Sequence, residues 1–213
     1  MLLQSLLGEP VMLVAWIMAI LVVLTVHEFC HALAGTLLGD STAKDSGRLT
    51  LNPLSHVSWL GFFMLLLVGF GWGKPVPFNP YNLKYQRFGP ALVAVAGPLS
   101  NLLLAIISAL ALRLVITYQI VPPENLLVHF LNLLIGLNIV LMAFNLLPIP
   151  PLDGSKILFS IISDFRYAHI RDFLEQHGPT ILLGVIILDN IIGLNLLSSL
   201  FLRLINLVYK IML

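Results

Sequence analysis

Residues 11–35 read VMLVAWIMAILVVLTVHEFCHALAG, an apolar run that carries His27, Glu28 and His31 toward one end. A helix needs about 20 apolar residues to cross a bilayer, so this run predicts a transmembrane segment. Ionisable groups inside hydrocarbon cost roughly 2.5–3.5 kcal/mol each on insertion scales, and three of them within five residues demand a compensating partner. Residues four apart on an α-helix project from nearly one face. His27 and His31 can therefore grip one ion from one side, with Glu28 beside them. The H-E-x-x-H spacing suits two neutral imidazoles on zinc with the glutamate as general base. The competing reading is a polar trio that hydrogen-bonds to neighbouring helices.

The rest of the composition agrees with a membrane setting. Of the 213 residues, 59% are hydrophobic and 10% charged, and the mean hydropathy is +0.99, outside the range of soluble domains. A formal net charge of +1 offers no field for nucleic acid or an acidic substrate. The single cysteine, Cys30, excludes an intrachain disulfide. The first 26 residues lack a basic leading region and an A-x-A-like cleavage site, so a retained helix is expected rather than a signal peptide.

Apolar runs at 11–39, 88–117 and 126–147 predict three core transmembrane helices, and a further run at 179–208 is interrupted by Asp189 and Asn190. That last run reads either as one bent helix or as a span followed by an interfacial helix carrying Arg203 and Lys210. The stretch 58–70 is too short to span and predicts a re-entrant or buried segment, followed by the Gly/Pro-rich GWGKPVPFNP of 71–80. The expected fold is an all-α polytopic membrane protein forming a single domain over 1–213. It has a three-helix core, a re-entrant or strand-like segment, and one or two C-terminal helices.

Charge placement orients the chain. With the N-terminus outside, Lys44, Arg48, Lys74, Lys84, Arg87, Lys156, Arg166 and Arg171 gather on one side, while 1–10 and 118–125 contain no Lys or Arg. The positive-inside bias makes that basic side cytoplasmic. The imidazoles then lie in the cytoplasmic half of the first helix, level with the PPLDG of 150–154.

Zinc on two histidines needs a third protein ligand, and a carboxylate completes many hydrolytic sites. Asp153, in NLLPIPPLDG (145–154), stands at a suitable depth, behind prolines that stop the preceding helix. The same residue could instead N-cap a helix through GSKILFSII. Spacing does not choose between the two.

The combination of HEFCH (27–31), GPLSN (97–101) and NLLPIPPLDG (145–154), in that order on successive apolar runs, resembles the site-2 protease family of intramembrane zinc metalloproteases. The resemblance covers about 20–160. It implies that His27, His31 and Asp153 hold Zn2+, that Glu28 activates water, and that the substrates are transmembrane proteins met within membrane lipid. The stretches GRLTLNPLSH (47–56) and GWGKPVPFNP (71–80) resemble a compact bacterial branch, which places the protein in the cell membrane; the PDZ and CBS domains of many relatives do not fit within these residues. Asn101 and Asn145 are similar to family positions near the active site, where an amide could orient substrate or a developing oxyanion; interhelical hydrogen bonding is the alternative. His56 is a possible accessory ligand or proton carrier, or a hydrogen-bonded loop histidine.

Two other classes of function are compatible with polar groups in a membrane. A metal ion transporter would spread them across the full depth, whereas here they gather in one half. A catalytically silent scaffold would have no need of an intact H-E-x-x-H. The segment 71–80 is a candidate edge for pairing with an unwound substrate strand, or else a plain re-entrant turn. Oligomeric state is not legible in the sequence.

Overall fold

A computed structural model describes residues 8–68, 71–193 and 195–212. Three helices are long and apolar enough to span: α1 (Pro10–Leu37), and, after the loop elements α2 (Thr42–Asp45) and α3 (Trp59–Val68), α4 (Gly89–Thr117) and α5 (Leu126–Asn145). They are followed by α6 (Asp153–Ile161), α7 (Ala168–Ile192) and α8 (Leu196–Met212). The chain is an integral, multi-pass membrane protein, and no strand occurs among the described residues.

The spanning helices bury narrow stripes of mostly small residues. On α1 the stripe runs Ala15, Ala19, Val23, His27, His31, Gly35. Its four-residue steps keep neighbouring members on nearly one face, so the histidines belong to the packed face and not to the lipid face carrying Val11, Val14 and Met18. On α4 the stripe includes Ala94, Gly97, Asn101, Ala105, Ala109 and Leu112. Small side chains let backbones approach where lipid supplies no hydrophobic drive for helix association. Helix α4 is central, touching α1, α5, α6 and α8.

The described part of the 58–70 segment is a short helix on which the chain doubles back. Helix α3 has 10 residues, about 15 Å at 1.5 Å per residue, half of the hydrocarbon core. The chain then returns along it: a Cβ on Gly61 would stand 2.1 Å from the Trp72 carbonyl oxygen, and one on Gly71 would stand 2.2 Å from the Gly61 oxygen. Only glycine permits this close return. Residues 69 and 70 lie outside the described residues. The strand-like character of 71–80 is confined to one antiparallel bridge, Val57 with Gly73, extended by Lys74 N–H donating to His56 O at 2.8 Å. Pro75 and Pro77 lack the N–H groups that a longer ladder would use.

The C-terminal run resolves into two helices. Gly193 and Asn195 adopt positive φ (70° and 51°), and the Asp189 carboxylate accepts from the N–H groups of Leu196 and Leu197 at 2.8 and 3.4 Å. Asp189 thus satisfies donors at the start of α8, which is why the run breaks there. Helix α8 lays Val208, Tyr209 and Met212 on the cluster of Leu112, Val115, Val128, Leu131 and Ile135.

Candidate metal centre

The two imidazoles of α1 meet a third group delivered by α6. After α5 ends, Pro148, Pro150 and Pro151 prevent continuation, and α6 starts hard against the turn: a Cβ on Gly154 would stand 2.3 Å from the Leu146 oxygen. Asp153 is the first residue of α6. The capping position is held by Leu152, and no side chain caps that end. The Asp153 carboxylate instead points into the bundle, with Oδ2 3.3 Å from His27 Nε2 and 3.1 Å from His31 Nε2, while the two Nε2 atoms lie 3.0 Å apart. All three residues are buried.

Hydrogen bonding on the far side of each ring decides what faces inward. His31 Nδ1 lies 2.8 Å from the Val93 carbonyl oxygen, an obligate acceptor, and His27 Nδ1 lies 2.6 Å from Asn101 Oδ1. Both Nδ1 atoms therefore carry the proton, and both Nε2 atoms present lone pairs. Three lone-pair donors then converge with no proton among them, and Asp153 Oδ2 is buried without a hydrogen-bond donor. Such a cluster repels itself unless a cation sits within it. Two donors about 2.0–2.1 Å from one tetrahedral ion are about 3.3 Å apart, and the observed spacings match. The residues fit a divalent metal.

Room for the rings comes from α4. A Cβ on Gly97 would stand 2.4 Å from His31 Nε2 and 2.7 Å from His27 Cε1. Glu28 is buried beside the triad, and Gly73 passes close above it, since a Cβ there would lie 3.4 Å from Glu28 Oε1. Lys156 Nζ is 3.3 Å from Asp153 Oδ1, on the side away from the imidazoles.

The segment over Glu28 is pinned by Arg48, whose guanidinium donates to the Lys74 and Pro75 carbonyls, the latter at 3.1 Å. Burial pushes the Arg48 pKa down while the charge of Glu28 pulls it back up. His56 is fully enclosed, with Nε2 2.8 Å from the Thr50 oxygen and Nδ1 3.5 Å from Arg48. Burial lowers its pKa, the Thr50 carbonyl raises it and Arg48 lowers it again, for a net fall. The His56 ring is thus held neutral in the loop, with its nitrogens on Thr50 and Arg48 and not on the triad. Asn145 donates to the Leu141 carbonyl within its own helix at 3.0 Å.

A family model, Peptidase family M50, matches residues 114–188, the part that contains Asp153. Three relatives share the name "Putative zinc metalloprotease". YwhC of Bacillus subtilis (strain 168) is 41% identical over 157 residues, covering 72% of this chain and 72% of its own. The chain belongs to peptidase family M50. Rip2 of Mycolicibacterium smegmatis is 32% identical over 70% of this chain and 57% of its own length, and Rip2 of Mycobacterium tuberculosis (strain Erdman) is 36% identical over 63% and 52%. The chain thus spans little more than half of the mycobacterial relatives. No solved structure matches it.

Sequence reasoning overlooked two residues of this M50 member. Asn138 stands fully buried on α5 behind Asn101, and its signal was an amide on the apolar stripe of 131, 134, 135 and 139. Arg48, within GRLTLNPLSH, was counted only as a topogenic charge, because nothing local marks a cation as buried.

Proposed function

We propose that this chain is an intramembrane zinc metalloendopeptidase that hydrolyses peptide bonds within or next to transmembrane helices of membrane proteins. The observation that carries the reading is the convergence of the His27, His31 and Asp153 lone pairs beside Glu28, on helices that span the membrane. His27 is the 18th residue of a 28-residue helix, about 15 Å from its C-terminal end, so a substrate bond must be brought into the bundle to react.

Zinc held by the triad would supply Lewis-acid polarisation of the scissile carbonyl and lower the pKa of the attacking water. Glu28 would take a proton from the attacking water and return it to the leaving amine. A helical substrate shields its own peptide bonds, so a stretch of it unwinds first. The 71–75 backbone, held by Arg48 and by the Val57–Gly73 bridge, lies close to Glu28 and gives such an extended stretch a fixed segment to lie along. Asn145, the last residue of α5, keeps its amide nitrogen on the Leu141 carbonyl, so a role toward substrate would fall to its Oδ1. The one-sided Lys/Arg distribution supports a site open toward the cytoplasm of a bacterial cell.

The test is zinc analysis of the purified protein together with cleavage of a panel of single-span substrates in proteoliposomes. Glu28→Gln keeps zinc and loses about 10²–10⁴-fold in cleavage rate, the range of a lost general base. Near-normal turnover by that variant, or cleavage confined to soluble peptides, would sink the reading.

A further inference from the structure

His27 and His31 stand one turn apart on one helix, yet their rings are held by different means. The acceptor for His31 Nδ1 is a main-chain oxygen, Val93 O at 2.8 Å, which cannot become a donor. The acceptor for His27 Nδ1 is a side-chain amide, Asn101 Oδ1 at 2.6 Å. An amide rotated by 180° would present its NH2 instead. It would then favour the opposite imidazole tautomer, with the proton on Nε2 and directed at the other donors. Something must hold Asn101 in one orientation.

That hold comes from α5. Asn138 Nδ2 lies 2.7 Å from the Leu134 carbonyl oxygen, which only accepts, so this atom of Asn138 is the amide nitrogen. Asn138 Oδ1 is then turned to Asn101, 2.8 Å from its Nδ2, and a second acceptor, Val23 O, lies 3.5 Å from the same nitrogen. Every direction is set by the one before it: Leu134 O accepts from Asn138, Asn138 accepts from Asn101, and Asn101 accepts from His27 Nδ1–H. Both asparagines are 0% exposed, so water does not substitute for a missing link.

We propose that Asn138, acting through Asn101, is a positioning residue that commits His27 to the tautomer able to bind a metal. The relay crosses α5, α4 and α1 and ends on a ring whose other nitrogen faces Asp153. It rests on the metal-centre reading above and adds a claim about how one ligand of that centre is prepared. Asn101 accordingly serves the metal from behind a histidine, and its own amide is fully engaged there. Neither asparagine touches the reacting atoms.

Metal affinity of the full-length protein in detergent is the readout, measured by zinc competition with a chelator and by the visible absorption of Co2+ bound in place of zinc. Asn101→Leu removes the acceptor and lowers affinity by 10–100-fold, the usual cost of losing an outer partner of a metal-binding histidine. It also shifts the Co2+ spectrum as His27 leaves. Asn101→Asp keeps an acceptor toward Nδ1 and retains affinity within about tenfold of wild type, although its thermal stability falls because Asn138 Oδ1 loses its donor. Asn138→Leu frees the Asn101 amide and lowers affinity by less than Asn101→Leu does. The Asn101→Leu/Asn138→Leu double variant is no weaker than Asn101→Leu alone, because Asn138 has no other route to the metal. Metal-free thermal unfolding of each variant identifies any that is not folded, and the Asn101→Asp comparison stands even if one leucine variant is lost. Unchanged affinity in Asn101→Leu, or additive losses in the double variant, would overturn the relay while leaving the metal centre in place. Failure of the wild-type chain to bind zinc or cobalt would remove the centre and the relay together.

Discussion

Asp40 and Asp153 are both buried carboxylates, 1% and 6% exposed, and they are in opposite states of satisfaction. Asp40 accepts from the Thr42 N–H and hydroxyl, from Asn79 N–H at 2.7 Å and from the Asn82 amide at 3.1 Å. It ties the exit of α1 to the segment before α4, and its charge is met by donors from the protein itself. Asp153 Oδ2 has no donor and faces two imidazole nitrogens whose protons are on the far side. A buried polar group that closes its hydrogen bonds is architecture. One that points a lone pair at other lone pairs calls for an ion: Lys156 meets only Asp153 Oδ1, and Oδ2 is left among the imidazole nitrogens with its desolvation uncompensated.

The contrast is most exposed to failure at Asp153. Asp153→Asn removes the anionic donor, and since the side chain caps no helix, the fold remains while zinc is stripped and cleavage is abolished. Full zinc occupancy with intact activity, by elemental analysis and proteoliposome assay, would reduce Asp153 to the same rank as Asp40. Gly97→Ala comes next. Its methyl would stand 2.4 Å from His31 Nε2 and 2.7 Å from His27 Cε1, so both rings must move off their present positions and zinc affinity falls about tenfold, read by chelator competition.

Asp40→Asn is the counter-test. An amide offers one acceptor oxygen where the carboxylate used two, and its NH2 confronts donors, so stability drops by about 1–3 kcal/mol. Zinc stoichiometry stays unchanged, because no group of this cluster reaches the triad. The smallest effect is in pH dependence. Burial alone would raise the Asp40 pKa, but the bonds from Thr42, Asn79 and Asn82 outweigh it and leave it below the ordinary carboxylate value. A depressed folded-state pKa means that the unfolded chain takes the proton first as pH falls. The Asp40 contribution is therefore complete above the unfolded value of about 3.9 and is lost below it as pH falls through the folded one. Thermal unfolding followed from pH 6 toward pH 3 should show a steeper loss of stability in wild type than in Asp40→Asn.

Much of the fold was legible because its signals are local. Hydropathy over windows of one helix length located α1, α4 and α5, and the four-residue spacing of His27 and His31 placed both on one face before any partner was known. Asp153 was legible as a choice between ligand and cap, and the packing of α6 against α4 turned its carboxylate inward. The break at Asp189 was visible as an interruption, but its meaning depended on where the next helix began.

The asparagines of α5 show where sequence stops. Asn132, Asn138 and Asn145 each donate to the carbonyl one turn back, Val128, Leu134 and Leu141, at 2.9, 2.7 and 3.0 Å. Locally the three are the same, an amide folded onto its own helix. Tertiary structure separates them: α8 brings the Tyr209 hydroxyl to the Asn132 oxygen, α4 brings Asn101 to the Asn138 oxygen, and Asn145 stands at the helix end before the prolines. The sequence by itself determined that this chain crosses a membrane and carries a paired-histidine grip, since period and apolarity act within one helix. Which amide stands behind His27 was decided only when α1, α4 and α5 packed together, because a hydrogen bond between residues 74 positions apart leaves no pattern in the chain between them.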